Sequence, residues 1–168
     1  MNKILLLTIS ILFSINSLIA SDNAKFHSGF IYHFTKYVEW PADMRTGNFV
    51  IAVVGNSDLI PYLTQLAKTK TVGVQKIVIK KCSSVAQAKG AHIMFVDDSK
   101  LGSFTTAKSI AQQGNTLLLT AKNSYGRNGS MINFFEKNGK IQFELNQSAT
   151  KKAGLVISNK LVSLAILV

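Results

Sequence analysis

The sequence predicts a single three-layer α/β domain, with a mostly parallel sheet and an antiparallel hairpin near the C-terminal end. Three observations predict it. Short, unbroken apolar runs at 49–54, 92–96 and 116–120 have the composition of strands buried on both faces. Segments with helical apolar spacing separate them, the alternation that builds a parallel sheet covered by helices. Asn138-Gly139 stands between two strand-like runs, 131–136 and 140–145, and Asn-Gly in that position is a strong hairpin signal. No internal repeat or linker-like stretch divides the 168 residues, so one domain is expected over 21–168.

The elements follow in order. Asp22 is placed to cap a helix over 23–38, whose apolar face is Phe26, Phe30, Phe34 and Tyr37 with Ile31 and Val38. Pro41 stops it, and Trp40 sits in the exit. The strand at 49–54 ends in Gly55-Asn56-Ser57-Asp58, and Asp58 caps a helix to Leu66 with Pro61 in the tolerated first turn. Residues 76–80 alternate as a strand, a helical turn runs from Ser83 or Ser84 to Gly90, and 92–96 form the next strand. Ser99 caps a helix carrying Leu101, Phe104, Ala107, Ile110 and Ala111, which Gly114 ends. After the strand at 116–120 comes a loop over 121–130, rich in Gly, Ser and Asn, that reads as flexible, and then the hairpin. A capped turn over 148–154 ends at Gly154, and Ser158 caps a last helix carrying Leu161, Val162, Leu164, Ala165 and Val168.

The first twenty residues have the layout of a secretory signal peptide: Lys3, the apolar-leaning run 4–19, then Ala20 before Ser21-Asp22-Asn23. Leu18 and Ala20 occupy the positions that a signal peptidase reads, so cleavage after Ala20 and a periplasmic location are expected. The cut removes one lysine and no acid, lowering the net charge from +11 to +10. Export argues against nucleic acid as the partner of this charge. The basic residues are also scattered, with Lys80-Lys81 and Lys151-Lys152 the closest pairs, as on a solvated surface.

Catalytic chemistry finds little support. Cys82 is the one cysteine, which excludes an internal disulfide, a zinc cluster and a redox pair. His27 and His33 are six apart, rotated by roughly 240° on a helix, and share no ligand face. Asp97-Asp98 are adjacent on an extended segment and point to opposite faces, so they do not converge on a cation. No serine sits in a nucleophile elbow. No catalytic residue, metal site or cofactor is therefore assigned.

Two places suit binding. The turn Gly55-Asn56-Ser57 lies between a strand and a helix, where α/β proteins hold phosphates, although both phosphate-loop patterns are absent. Glu39 and Trp40, at the helix exit, and Tyr125 and Arg127, in the 121–130 loop, are candidates for a protein contact. The rival reading of Trp40 is a wedge packing helix against sheet.

Several segments resemble one family. The run from Phe30 through Tyr37-Val38-Glu39-Trp40-Pro41 looks like the opening helix of the YfiR-like exported proteins, and 92–96 is similar to their central strand. The most specific likeness is at the end: Gly129-Ser130-Met131-Ile132-Asn133-Phe134-Phe135, Gly139-Lys140-Ile141-Gln142-Phe143-Glu144-Leu145-Asn146, Ala153-Gly154-Leu155 and Ile157-Ser158-Asn159-Lys160-Leu161. The resemblance implies a non-catalytic periplasmic α/β protein. Its namesake type represses an inner-membrane diguanylate cyclase, with a GGDEF domain, by binding its periplasmic portion, and so lowers cyclic di-GMP and biofilm formation. Relatives often carry a cysteine directly before the His of the central strand. Here that place is Ala91, so a redox switch of that kind is not expected, and Cys82 would be the unpaired half of such a bridge. Two function classes follow: a regulator that binds an inner-membrane protein, and a small-ligand or anion binder using the Gly55 turn. A homodimer is compatible with either.

Overall fold

The computed structural model describes residues 23–168, so the expected leader over 1–20 and the cap at Asp22 lie outside the described residues. Helix α1 covers 23–34 and is shorter than its apolar spacing suggests. After Phe34 the chain tightens through Thr35 to Tyr37, whose amides bond back to Tyr32, His33 and Phe34 carbonyls. It then leaves as strand β1 (Val38–Glu39), because Val38 and Glu39 pair antiparallel with β9 (Val156–Ile157). Tertiary pairing thus ends the helix before Pro41 is reached. The buried face of α1 also differs from the expected one. It is Ala24, Ser28, Ile31 and Phe34, whereas Phe26 is 60% exposed.

The main sheet has the order β10-β8-β7-β6-β5-β2-β4-β3. Its centre is parallel: β2 (Phe49–Val54), β4 (Gln75–Cys82), β5 (Ile93–Val96), β6 (Leu117–Thr120) and β7 (Ile132–Lys137). Every residue of β5 and β6 is buried, as strands covered on both faces require. Helices α2 (Leu59–Ala67) and α3 (Phe104–Gln113) make the crossovers that keep these strands parallel. The predicted fold class, a mostly parallel sheet flanked by helices, is the one observed.

The hairpin forms where Asn-Gly predicts it. β7 and β8 (Lys140–Leu145) pair from Ile132↔Leu145 to Lys137↔Lys140, with Asn138 and Gly139 at φ 54° and 70°. Positive φ at both central residues is the turn whose twist matches the strands. It is not the sheet's edge, however. The expected last helix shortens to α5 (Asn159–Leu164), and the chain finishes as β10 (Ile166–Leu167), parallel to β8 on its outer side. The other edge is a second hairpin, β3 (Thr71–Val72) with β4, turning at Gly73-Val74.

Caps differ in detail. Asp97, not Ser99, caps the 3₁₀ turn Asp98–Ser103 that precedes α3, its carboxylate accepting from the Ser99 amide at 3.1 Å. At α2 the Ser57 hydroxyl accepts from the Leu59 amide at 3.3 Å, and Asp58 makes no cap bond. Gly114 ends α3 at φ −105°, and Asn115, at φ 50°, supplies the left-handed step. Asn146 caps α4 (Gln147–Lys152), and Ser158 caps α5 as expected.

Candidate functional site

Trp40 is the first candidate to place. It is 5% exposed, so the wedge is its role and the exposed anchor is corrected. Its indole N–H donates to the His92 carbonyl at 3.1 Å, and its ring meets Phe49 edge-on at 5.0 Å. His92 stacks on Phe49 at 4.3 Å, accepts from the Val50 amide at Nδ1 (3.1 Å) and donates from Nε2 to the Met44 carbonyl (2.7 Å). Both ring nitrogens are spent, which fixes one neutral tautomer and leaves none for a metal or a substrate. Burial lowers the His92 pKa, against the opposing hydrogen bond to Met44. Beside this cluster lies a cavity of about 290 Å³ reached past Glu39, Arg45 and Gln75. Glu39 itself is on the surface, 3.6 Å from Arg45, with both side chains more than half exposed. Such a pair contributes little to stability.

Tyr125 and Arg127 stand elsewhere. Trp40 reaches Phe49 and His92, at the amino ends of β2 and β5, whereas the 121–130 loop follows Thr120 at the carboxyl end of β6. The strands are parallel, so the four contact candidates occupy opposite edges of the sheet and form no single surface. Nor is the loop loose. The Thr120 hydroxyl donates to Asn133 Oδ1 (2.7 Å) and lies 2.9 Å from the Ser130 hydroxyl, and Asn133 Nδ2 donates to Glu144 (2.9 Å). Asn133 Oδ1 also accepts from the Lys122 amide at 3.1 Å, and Asn146 Nδ2 donates to the Gly126 carbonyl at 2.9 Å. Tyr125 sits edge-on to Phe104 at 4.7 Å, so Arg127 is presented, exposed, from a pinned platform.

The same carboxyl edge holds a cleft of about 740 Å³. Gly55 and Asn56, expected as ligand residues, line it, while Ser57 does not and serves the α2 cap. Gly55 is at φ 108°, and a Cβ there would stand 2.8 Å from Asp97 Cβ, so only glycine fits the turn. Lys81, Lys100, Ser83, Gln87 and Ser99 complete the lining, and nothing in their sequence context marks them out. Cys82 also borders the cleft, but its residue is buried. Burial pushes its thiol pKa up, against the lowering charge of Lys80, so it is a poor nucleophile.

Of the remaining candidates for metal or acid–base chemistry, His33 is exposed, and His27 and Asp98 are used structurally. His27 stacks on Phe134 at 4.3 Å, and burial lowers its pKa to about 4. Asp98 holds Lys122 at 2.9 Å. Among the described residues no group of three His, Cys, Asp or Glu side chains is placed to hold a metal ion. No helix among them is long and apolar enough to cross a membrane.

An open, mostly parallel sheet with helices on its faces and a cleft at its carboxyl edge defines an α/β protein of the open-sheet class. Within that class, the chain belongs to the YfiR/HmsC-like family, which matches residues 24–166, and the family is one of periplasmic regulators. No curated protein matches it. Among solved structures it is similar to a conserved domain protein from Vibrio cholerae O1 biovar El Tor, at 16% identity and a TM-score of 0.53, over 86% of this chain and 59% of that one. It is also similar to an ABC domain from Streptococcus pneumoniae solved in complex with L-Trp, at 10% identity and a TM-score of 0.51, over 72% of this chain and 55% of that one. The chain thus spans less than two thirds of either structure, and at these identities the likeness is one of fold.

Proposed function

We propose that this protein is a non-enzymatic periplasmic regulator that binds and represses an inner-membrane signalling protein, with a diguanylate cyclase as the partner class. The observation that carries the reading is the family match across 24–166. It is supported by His92, both of whose ring nitrogens are hydrogen-bonded in the core, by His27, whose ring stacks on Phe134, and by the buried thiol of Cys82. Export by the leader over 1–20, with cleavage after Ala20, places the chain opposite the periplasmic portion of such a partner. Output then depends on preferential binding to the partner's inactive state, by a few kcal/mol if the population is to shift usefully.

The contact surface proposed is the pinned loop with Tyr125 and Arg127, and the strong positive charge selects an acidic face. Glu39 and Trp40 lie at the other edge and act on the contact only through the fold. The test is genetic and chemical. Deleting the gene raises cyclic di-GMP and surface attachment, Arg127→Ala reproduces much of that rise in a folded protein, and crosslinking in the periplasm captures an inner-membrane protein. Unchanged cyclic di-GMP together with no inner-membrane crosslink overturns the reading. Mass spectrometry of the exported protein reads the processing site, and a retained N-terminus in the membrane fraction refutes cleavage.

A further inference from the structure

We propose that the cleft bordered by Gly55, Lys81 and Lys100 binds a small molecule through a phosphate-like dianionic group. The topology puts a crevice there. The chain leaves β2 through α2 toward β4 on one side, and leaves β5 through α3 toward β6 on the other. β2 and β5 are hydrogen-bonded neighbours, so their outgoing loops diverge and open a gap at their shared carboxyl edge. In open α/β sheets ligands bind outside the carboxyl ends of the strands at such a reversal.

The chemistry of the lining selects the charge of the occupant. Two ammonium groups, Lys81 and Lys100, border the cleft and no carboxylate does. The nearby acids are already engaged: the Asp97 carboxylate accepts from the Ser99 amide and hydroxyl at 3.1 and 2.6 Å, and Asp98 is paired with Lys122. Among the described residues neither Lys81 nor Lys100 makes an ion pair. Lys81 is instead steadied by Asn56 Oδ1 at 3.2 Å, which orients the ammonium without neutralising it. Gln87 Oε1 accepts from the Ser83 amide and hydroxyl at 2.8 and 3.1 Å, which holds a neutral amide donor beside the cations. Asp97 keeps its charge beside Gly55, but two cations with neutral donors outweigh it and suit a doubly charged oxyanion. The volume of about 740 Å³ exceeds a bare phosphate and leaves room for an attached organic body. Gly55 keeps that space clear, since a side chain there would meet Asp97 and Lys100.

The test is calorimetric titration of the purified protein at low ionic strength with inorganic phosphate, adenosine 5′-monophosphate and adenosine. Phosphate and the nucleotide should bind and adenosine should not. Tighter binding of the nucleotide than of phosphate identifies a phosphorylated organic ligand, and equal binding identifies phosphate itself. Lys81→Gln and Lys100→Gln should each weaken binding by about tenfold. The pair Lys151→Gln with Lys152→Gln removes twice the charge of either single variant, from exposed positions on α4, and should still change little. Absence of saturable binding by both anions overturns the proposal, as does equal weakening by the α4 pair, which would reduce the effect to diffuse charge. Circular dichroism confirms that each variant is folded. The regulator reading is untouched by either result, because its test is partner capture.

Discussion

Replacing Trp40 separates packing from hydrogen bonding at the joint between the chain's first segment and its sheet. Truncation to alanine empties a site that is 5% exposed and removes the edge-on contact with Phe49. Large aromatic-to-alanine changes in cores cost about 3–5 kcal/mol. The hydrogen bond contributes less than its burial suggests. The His92 carbonyl also accepts from the Leu117 amide at 2.8 Å, so it keeps a partner when the indole is gone. Its loss should cost only about 1 kcal/mol. Trp40→Phe, which keeps an aromatic edge against Phe49 and loses the N–H, should therefore destabilise by about 1–2 kcal/mol. Trp40→Ala should cost about 3–5 kcal/mol, a large share of a typical domain's stability. Urea unfolding followed by circular dichroism measures both. The wild-type chain has a single tryptophan, so its fluorescence gives an independent check on the same transition. A cost for Trp40→Ala below about 1 kcal/mol would refute the wedge and return Trp40 to the surface. Equal costs for the two variants would show that the hydrogen bond, not packing, dominates.

Gly139→Val should lower stability by about 1 kcal/mol and the melting temperature by a few degrees, because φ is +70° and no other atom crowds the site. An unchanged melting temperature would refute that turn geometry. Acidification should destabilise the fold. Burial holds His27 at about 4 and lowers His92, so the unfolded chain, with ordinary histidines near 6.5, takes up protons first. Histidine-linked stability is then fully present above pH 6.5 and falls as pH drops toward 4, and it should fall less in His27→Phe. Urea midpoints at a series of pH values measure this, and a flat profile between 6.5 and 4 refutes it. Cys82→Ser should leave partner control the same in oxidising and reducing media, and loss of control in either would restore a thiol mechanism.

The long elements were legible because their information is local. Phe49–Val54 is apolar along its whole length, and Asn138-Gly139 demands a turn whatever surrounds it. The two-residue strands were not legible. Val38–Glu39 and Ile166–Leu167 carry no periodicity of their own and exist only through partners distant in sequence. The same distinction divides the cleft. Gly55 and Asn56 stand in a strand–turn–helix sequence that announces a crevice, whereas Lys81, on β4, and Lys100, after β5, look like any other lysines until the sheet order brings both to one cleft. Trp40 carried two readings because an aromatic residue beside a proline is equally good chemistry for a core and for a contact. Its burial and its bond to the His92 carbonyl decide between them.

The ribbon of β1 and β9, extended by the Ser158 amide bonding to the Tyr37 carbonyl, ties the first described segment to nearly the last. A chain that emerges amino end first therefore releases α1 and β1 long before the strand that secures them exists. Closing so long a loop is slow and is rewarded only at the finish. Loss of Ile166 and Leu167 bares the outer side of β8, and a chain that stops short of Val156 also leaves Val38 unpaired. Assembly is thus a zip fastened near its last tooth, and truncation that reaches β9 should register as a loosened head.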